Sequence, residues 1–320
     1  MKFSREVVMA RIAVVFPNEG SQYVGMGKDF YSKSLSTRKF YDDTEKLINS
    51  KIAKLCFLGP KEEQDKLFNA QLATFVNDVA FFDPIVQNRR KPEALTGVGV
   101  GEIAALVVSE AISFANAVQF VAKRAELLTD FAEKHRGNSL SLNGITLEQL
   151  TPMLEREEGE VKITHSLSPD TFVVWGPGES VKALQGELQG VKQVKTNLQL
   201  VRGPIFTPLA EELEGPIGKL LDECLGGIAL KNPKITFHHC RGGEMVSTPD
   251  AVRSVLVKQL SSPVRWEDTV KAVILRGFRT WVEVGPGRVY SSMVKKIDVD
   301  TRNSNVEDMK SLSAMVKVTG

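Results

Sequence analysis

The stretch "ALTGVGVGEIAAL", Ala94 to Leu106, constrains this chain most. A short apolar run enters a turn holding Gly97, Gly99 and Gly101, and a helix-forming run leaves it. Strand–turn–helix joints of this shape often present a nucleophile at the middle of the turn, as in Gly-x-Ser-x-Gly. Here the middle residue is Gly99, which has no side chain to offer. A dinucleotide-binding loop is the competing reading of "GVGVG". It fails on spacing, because the sixth position of Gly-x-Gly-x-x-Gly is Glu102, and no acidic strand end follows about 20 residues later.

The flanking sequence repeats the strand–helix alternation. Arg11 to Phe16, "RIAVVF", reads as a buried strand that breaks at Pro17 and a polar turn, with helix resuming from about Gly27. Residues 61–88 read mainly as helix, and Ser113 reads as the N-cap of the helix "SFANAVQFVAKRAELLTDFAEKH". Such alternation predicts an α/β fold with a parallel sheet. Between about Asn138 and Gln199 the pattern changes to β-α-β-β-α-β, with strands in "SLSLNGI", "EVKITHS", "TFVVWGP" and "VKQVKTNLQL" and helices near Leu147–Arg156 and Glu179–Gly190. This is the ferredoxin-like order. It reads as an insert, because strand–helix alternation resumes with a helix after Thr207, then "KITFHH", a helix from Pro249 to Leu260, and "RTWVEVGPG". The expected organisation is a large subdomain from residues 1–135 and 200–300, a small one from 136–199, and a loosely held polar tail over 301–320.

Composition excludes several classes. With 42% hydrophobic and 25% charged residues over 320 positions, a sizeable core is expected; a net charge of +2 argues for neither nucleic acid nor a membrane surface. Cys56, Cys224 and Cys240 are scattered without a CxxC pair, as free buried thiols in a reducing compartment would be. His238–His239–Cys240 is a local cluster, but adjacent strand residues face opposite ways, so it reads as a strand end with no metal. The first ten residues lack the continuous apolar core of a signal peptide, and no stretch approaches the ~20 apolar residues of a membrane span, so a cytoplasmic location is expected.

Six ordered segments resemble the malonyl-CoA:acyl carrier protein transacylases. "FPNEGSQYVGMGKDFY" resembles their opening Phe-Pro-Gly-Gln-Gly-Ser-Gln…Gly-Met-Gly, and "GVGVGEIAAL" their Gly-His-Ser-Leu-Gly-Glu elbow. "SFANAVQFVAKRAELL" resembles the helix with their carboxylate-binding arginine, and "GPIFTPLAEEL" their Phe-His-Ser-Pro-Leu segment. "QLSSPVRWEDTV" and "VEVGPGRVYSSMVKKI" resemble their closing motifs. The resemblance runs from about Arg11 to Ile297 and implies an α/β-hydrolase-like large subdomain with a parallel sheet plus an inserted ferredoxin-like small subdomain. It implies no cofactor.

In that family a serine takes the acyl group from coenzyme A and passes it to the carrier's thiol, with a histidine as base and two backbone amides holding the oxyanion. The resemblance places the serine at Gly99, its preceding histidine at Val98, the base at Phe206 and the first-motif glutamine at Glu19. Gly99 cannot form an acyl-enzyme, Phe206 cannot accept a proton, and Glu19 brings negative charge toward a developing oxyanion. The resemblance also assigns substrate binding to Arg124, Val100, Glu19 and Gln259. Arg124 would fork onto the malonyl carboxylate; the plainer alternative pairs it with Glu126 or Glu133. A further expectation is an internal Arg124–Glu19 ion pair that mimics bound malonyl.

Three functions remain open at this point. The first is a pseudo-acyltransferase that binds an acyl carrier protein, an acyl-CoA or a synthase partner in fatty-acid or polyketide synthesis. The second is an active acyltransferase with a displaced nucleophile, for which Ser21, Thr96 and Thr207 are nearest by motif, although His135, His165, His238 and His239 lie outside the motif positions. The third is a structural subunit paired with an active homologue. An acidic carrier would prefer a basic face, for which Asn88–Lys91 and Lys295–Lys296 are candidates.

Overall fold

The computed structural model describes residues 11–88, 91–156, 160–199, 203–225 and 230–319. The chain starts with β1 (Ile12–Phe16) and a helical stretch: α1 (Lys28–Lys33), α2 (Leu35–Ile48), α3 (Ile52–Leu58), α4 (Lys61–Gln64) and the long α5 (Leu67–Gln87). Then come β2 (Ala94–Gly97), α6 (Val100–Val108) and α7 (Phe114–Lys134). The middle runs β3 (Asn138–Asn143), α8 (Leu147–Arg156), β4 (Lys162–Ser168), β5 (Thr171–Gly176), α9 (Gly178–Gln189) and β6 (Lys195–Gln199). A 3₁₀ turn at Pro208–Leu213 leads into α10 (Glu214–Leu225), β7 (Thr236–His238), β8 (Met245–Val246) and α11 (Pro249–Val257). The chain closes with β9 (Val264–Arg265), α12 (Trp266–Leu275), β10 (Thr280–Val284), α13 (Val289–Ile297), β11 (Arg302–Val306) and α14 (Met309–Thr319).

The larger sheet has the order β11-β10-β1-β2-β7-β8. All its pairings are parallel except β7–β8. β1 and β10 are buried along their whole lengths, which explains their unbroken apolar character: both faces of a parallel sheet are covered by crossover helices. Side chains set the helix starts. Ser34, Ser113 and Thr248 each accept a hydrogen bond from a backbone N–H three residues on, at 3.2, 3.3 and 3.3 Å. The fold is thus the expected α/β arrangement with a parallel sheet.

The second sheet has the order β6-β3-β5-β4-β9. Its first four strands pair antiparallel in the ferredoxin-like order, over a separate apolar cluster that includes Leu140, Leu142, Leu150, Phe172, Val174 and Leu184. β9 was not foreseen. It comes from the closing motif around "SSPVRW" and adds to β4 in parallel, so the two sheets are joined through the polypeptide.

The C-terminal segment departs from expectation. Instead of a loose tail, β11 extends the large sheet by pairing with β10 at five positions, and α14 packs back with Leu312 and Met315 buried. The polar look of "TRNSNV" is that of an edge strand with one open side, which needs backbone partners more than apolar side chains. Lys295 and Lys296 are committed internally too. Lys296 Nζ lies 3.1 Å from Asp170 and 3.2 Å from Asn143, holding α13 to the small subdomain, and Lys295 Nζ donates to the Thr301 carbonyl at 3.1 Å. Of the other basic candidate, Arg89 and Arg90 lie outside the described residues, as do the first ten.

Asp78 on α5 is fully buried against Pro17 and Gly285, and neither carboxylate oxygen has a hydrogen-bond partner among the described residues. Burial, with the nearby Glu283 charge, pushes its pKa well above the ordinary carboxylate value.

Two expectations follow. Met315→Ala should lower the unfolding free energy by about 2–4 kcal/mol in urea denaturation, as for other buried large-to-small changes; a loosely held tail would give no change. The raised Asp78 pKa favours the native state most below about pH 4, where the unfolded aspartate is protonated as well, and that advantage is lost as pH rises toward the folded value. Asp78→Asn should therefore gain stability relative to the parent between pH 5 and pH 8, read as urea midpoints at both.

Candidate functional site

Gly99 caps α6 at φ 54° and ψ −120°, a left-handed backbone that glycine adopts without strain. The turn is tight on both sides. A Cβ at Gly97 would meet the Gly101 backbone at 2.2 Å, and one at Gly101 would meet the Phe16 carbonyl oxygen at 2.1 Å. Those two glycines let strand and helix pack at backbone distance.

A Cβ at Gly99 would meet something else: the Asn18 Oδ1 atom, at 1.9 Å. Asn18 follows β1 on the first-motif loop and is buried. Its Oδ1 also accepts a hydrogen bond from the Val100 backbone N–H at 3.2 Å. The Asn18 amide thus stands where a residue-99 side chain would start, and it occupies the amide that an oxyanion would need. Position 18 was passed over in the sequence, although the signal was there: the family motif quoted above has glycine where this chain has Asn18.

Phe206 is buried and holds φ 64°, an unusual conformation for a bulky residue. Its N–H donates to the Leu260 carbonyl at 2.5 Å, which fixes the loop, and its ring meets the His165 imidazole edge-on with centroids 4.9 Å apart. His165, which lies outside the motif positions in the sequence, is brought to the cleft by the fold. A register irregularity in the β4–β5 pairing between Ile163 and His165 breaks the strict alternation of side chains, and His165 lines the cleft beside Thr164. The Thr164 hydroxyl and His165 Nδ1 are 2.9 Å apart.

The cleft between the first-motif loop and the small sheet encloses about 270 Å³, with Asn18, Glu19, Ser21, Thr164, His165 and Phe206 among its walls. Of the four expected substrate-binding residues, Glu19 alone lines it. Val100 offers its amide to Asn18. Gln259 donates through Nε2 to the Gly99 carbonyl at 2.9 Å and to Glu102 at 2.8 Å.

Arg124 corrects the ion-pair expectation. Its guanidinium is 1% exposed and donates to Gln71 Oε1 at 2.7 Å and Gln259 Oε1 at 2.8 Å. Among the described residues it forms no ion pair with Glu19, Glu126 or Glu133; two glutamine oxygens reach it instead. Burial lowers its pKa to about 10, and the charges of Glu19 and Glu102 oppose that shift. Glu19 acts on Arg124 through space and not by contact.

The displaced-nucleophile candidates do not gain a base. The Thr207 hydroxyl donates to the Pro204 carbonyl at 2.6 Å, Thr96 is buried in β2, and Ser21 lines the cleft. Among the described residues no hydrogen bond joins any of the three to a histidine. His238 contacts the Gly243 carbonyl at 2.9 Å, and no cluster of three metal-ligating side chains is found among the described residues. Cys56, Cys224 and Cys240 are free and buried; burial pushes the Cys56 thiol up to about 12 and raises the other two, so none is poised as a nucleophile.

The acyl transferase domain model matches residues 13–318. The chain belongs to this acyl transferase family. It is 28% identical over 313 residues to the malonyl CoA-acyl carrier protein transacylase of Bacillus subtilis, covering 97% of each chain. It is 27% identical to a polyketide biosynthesis malonyl CoA-acyl carrier protein transacylase of Bacillus velezensis, covering 92% of this chain and 99% of that one. Among solved structures, a malonyl-transacylase in complex with a type II polyketide synthase acyl-carrier protein superimposes with a TM-score of 0.87 at 26% identity, covering 96% and 99% of the two chains.

Gly99→Ser should destabilise the protein, since the left-handed backbone alone costs a side chain about 1–3 kcal/mol and Asn18 blocks its Cβ. Adding Asn18→Gly should recover part of that loss. A double-mutant cycle on thermal midpoints measures the coupling; strictly additive effects would show that the two positions do not compete.

Proposed function

We propose that this chain is a non-catalysing relative of the malonyl-CoA:acyl carrier protein transacylases. It serves fatty-acid or polyketide synthesis by binding an acyl carrier protein, an acyl-CoA or a synthase partner. One observation carries the reading: the Asn18 amide fills the space of a nucleophile side chain and occupies the Val100 N–H. Phe206 supports it, because an apolar ring stands at the position the resemblance gives to the base. A protein without nucleophile, base and free oxyanion amide has lost the groups that supply most of the rate in acyl transfer. Binding partners are argued from the relatives. They are matched over nearly their full length, and one solved relative is complexed with an acyl-carrier protein.

A second reading has one observation in its favour. His165 stands in the cleft beside Thr164, and Ser21 lines the same cleft, so an imidazole and two hydroxyls are present there. On that reading the protein still transfers acyl groups through a displaced hydroxyl.

Intact-mass analysis of a holo acyl carrier protein with malonyl-CoA and this protein, beside an active transacylase and an enzyme-free blank, separates the two. The expected result is no transfer above the blank, together with measurable binding of the carrier or of an acyl-CoA. Transfer abolished by Ser21→Ala, Thr164→Val or His165→Ala would establish the second reading. Gly99→Ser alone should remain inactive. The combination Gly99→Ser, Asn18→Gly, Glu19→Gln and Phe206→His restores nucleophile, space, neutral loop and base, and is the variant expected to regain transfer.

A further inference from the structure

A second cavity lies at the opposite end of α6 from the elbow, enclosing about 470 Å³. Small-molecule sites commonly span about 300–1,000 Å³. Its walls are apolar: Phe40, Val79, Phe82, Val107, Ile112 and Phe114. None of these belongs to the cleft around Glu19 and His165.

The polar groups at this cavity are not balanced. Both acids are already engaged. Asp83 accepts from the Ser36 hydroxyl and the Gln87 amide, each at 2.6 Å, and Glu110 pairs with Lys234 at 2.5 Å. Two donors remain. The Asn116 Nδ2 atom is buried and has no acceptor among the described residues. Lys231 is held at the rim by its backbone N–H, which donates to the Ala111 carbonyl at 3.1 Å, while its ammonium makes no ion pair among the described residues. Ser113 and Asn116 also bring the N-terminal end of the 21-residue α7 to this wall, and that end carries partial positive charge. A buried amide donor without a partner is costly unless something else supplies the acceptor.

We propose that this cavity binds a single-chain fatty carboxylate. The hydrocarbon chain lies among the Phe40, Val79, Phe82, Val107 and Phe114 side chains, where it leaves water. The carboxylate meets Lys231 and accepts from Asn116. A neutral chain lacks the charge that Lys231 answers, and a cationic head would face an ammonium and a helix N-terminus. The site does not depend on the function proposed for the elbow, so either can fail without the other.

Isothermal titration of the intact protein tests this, with decanoate, dodecanoate, decan-1-ol and decyltrimethylammonium below their micelle concentrations. Decanoate should bind saturably at one site, and dodecanoate roughly tenfold more tightly for its two extra methylenes. The cationic amphiphile should not bind. Lys231→Glu, at an exposed position that should not disturb folding, should weaken decanoate at least tenfold and leave decan-1-ol unchanged. Asn116→Leu should act in the same direction, and Val107→Trp should remove binding of both by filling the cavity. No saturable binding of decanoate overturns the proposal. So does equal affinity of the parent and Lys231→Glu for decanoate, or binding unaffected by Val107→Trp in a variant that keeps its circular dichroism spectrum.

Discussion

A guanidinium in the core has to be answered by oxygen, and much of this molecule is arranged around that need. Arg124 lies on α7, its two side-chain partners on α5 and just after α11. Gln259 then hands the network on to Glu102 in the first turn of α6, and Glu102 accepts from the Cys240 backbone N–H at 2.8 Å beyond β7. Each hydrogen bond to a charged group contributes about 1.5–3 kcal/mol, but removing one partner leaves a buried charge uncompensated, which costs more. The chain Gln71–Arg124–Gln259–Glu102 therefore fixes the relative positions of the helices around the elbow.

That constraint bears on function. Arg124 and the glutamine that receives it are held in the core directly behind the elbow. Glu102 and Gln259 brace the Gly99 carbonyl from behind. Asn18 covers the Val100 amide from in front. The elbow is a tight strand-to-helix turn, and the Asn18 amide fills the space beside Gly99. Phe206 tells the same story from the opposite wall: a left-handed backbone at a bulky aromatic persists because the Leu260 carbonyl and the packing around it over-determine the loop.

Most of the fold could be read in the sequence because its signals are local. "RIAVVF" and "TWVEV" are apolar on both faces, as central parallel strands must be, and Ser113 announces a helix start within three residues. The pairing of β9 with β4 could not be read, because a two-residue strand has no periodicity and its partner is about a hundred positions away. β11 was misread because an edge strand is held by backbone hydrogen bonds that leave no trace in side-chain pattern. At the site, Gly99 and Phe206 stand out within their motifs. His165 was not, since a local register shift in β4 decides which way it faces. Arg124 and Glu19 do not pair because two glutamine oxygens take the guanidinium's donors, a competition that the charge pattern does not reveal.

The sequence by itself determined the family, the order of elements and the presence of Gly99 and Phe206 in the segments that carry the resemblance, because these are statements about residue identity in short motifs. The tertiary structure alone decided that Asn18 fills the place of the missing side chain, that Arg124 is satisfied inside the core, and that Lys231 and Asn116 meet at one apolar cavity. Those facts depend on distances between residues far apart in the chain, and such distances are set by packing rather than by pattern.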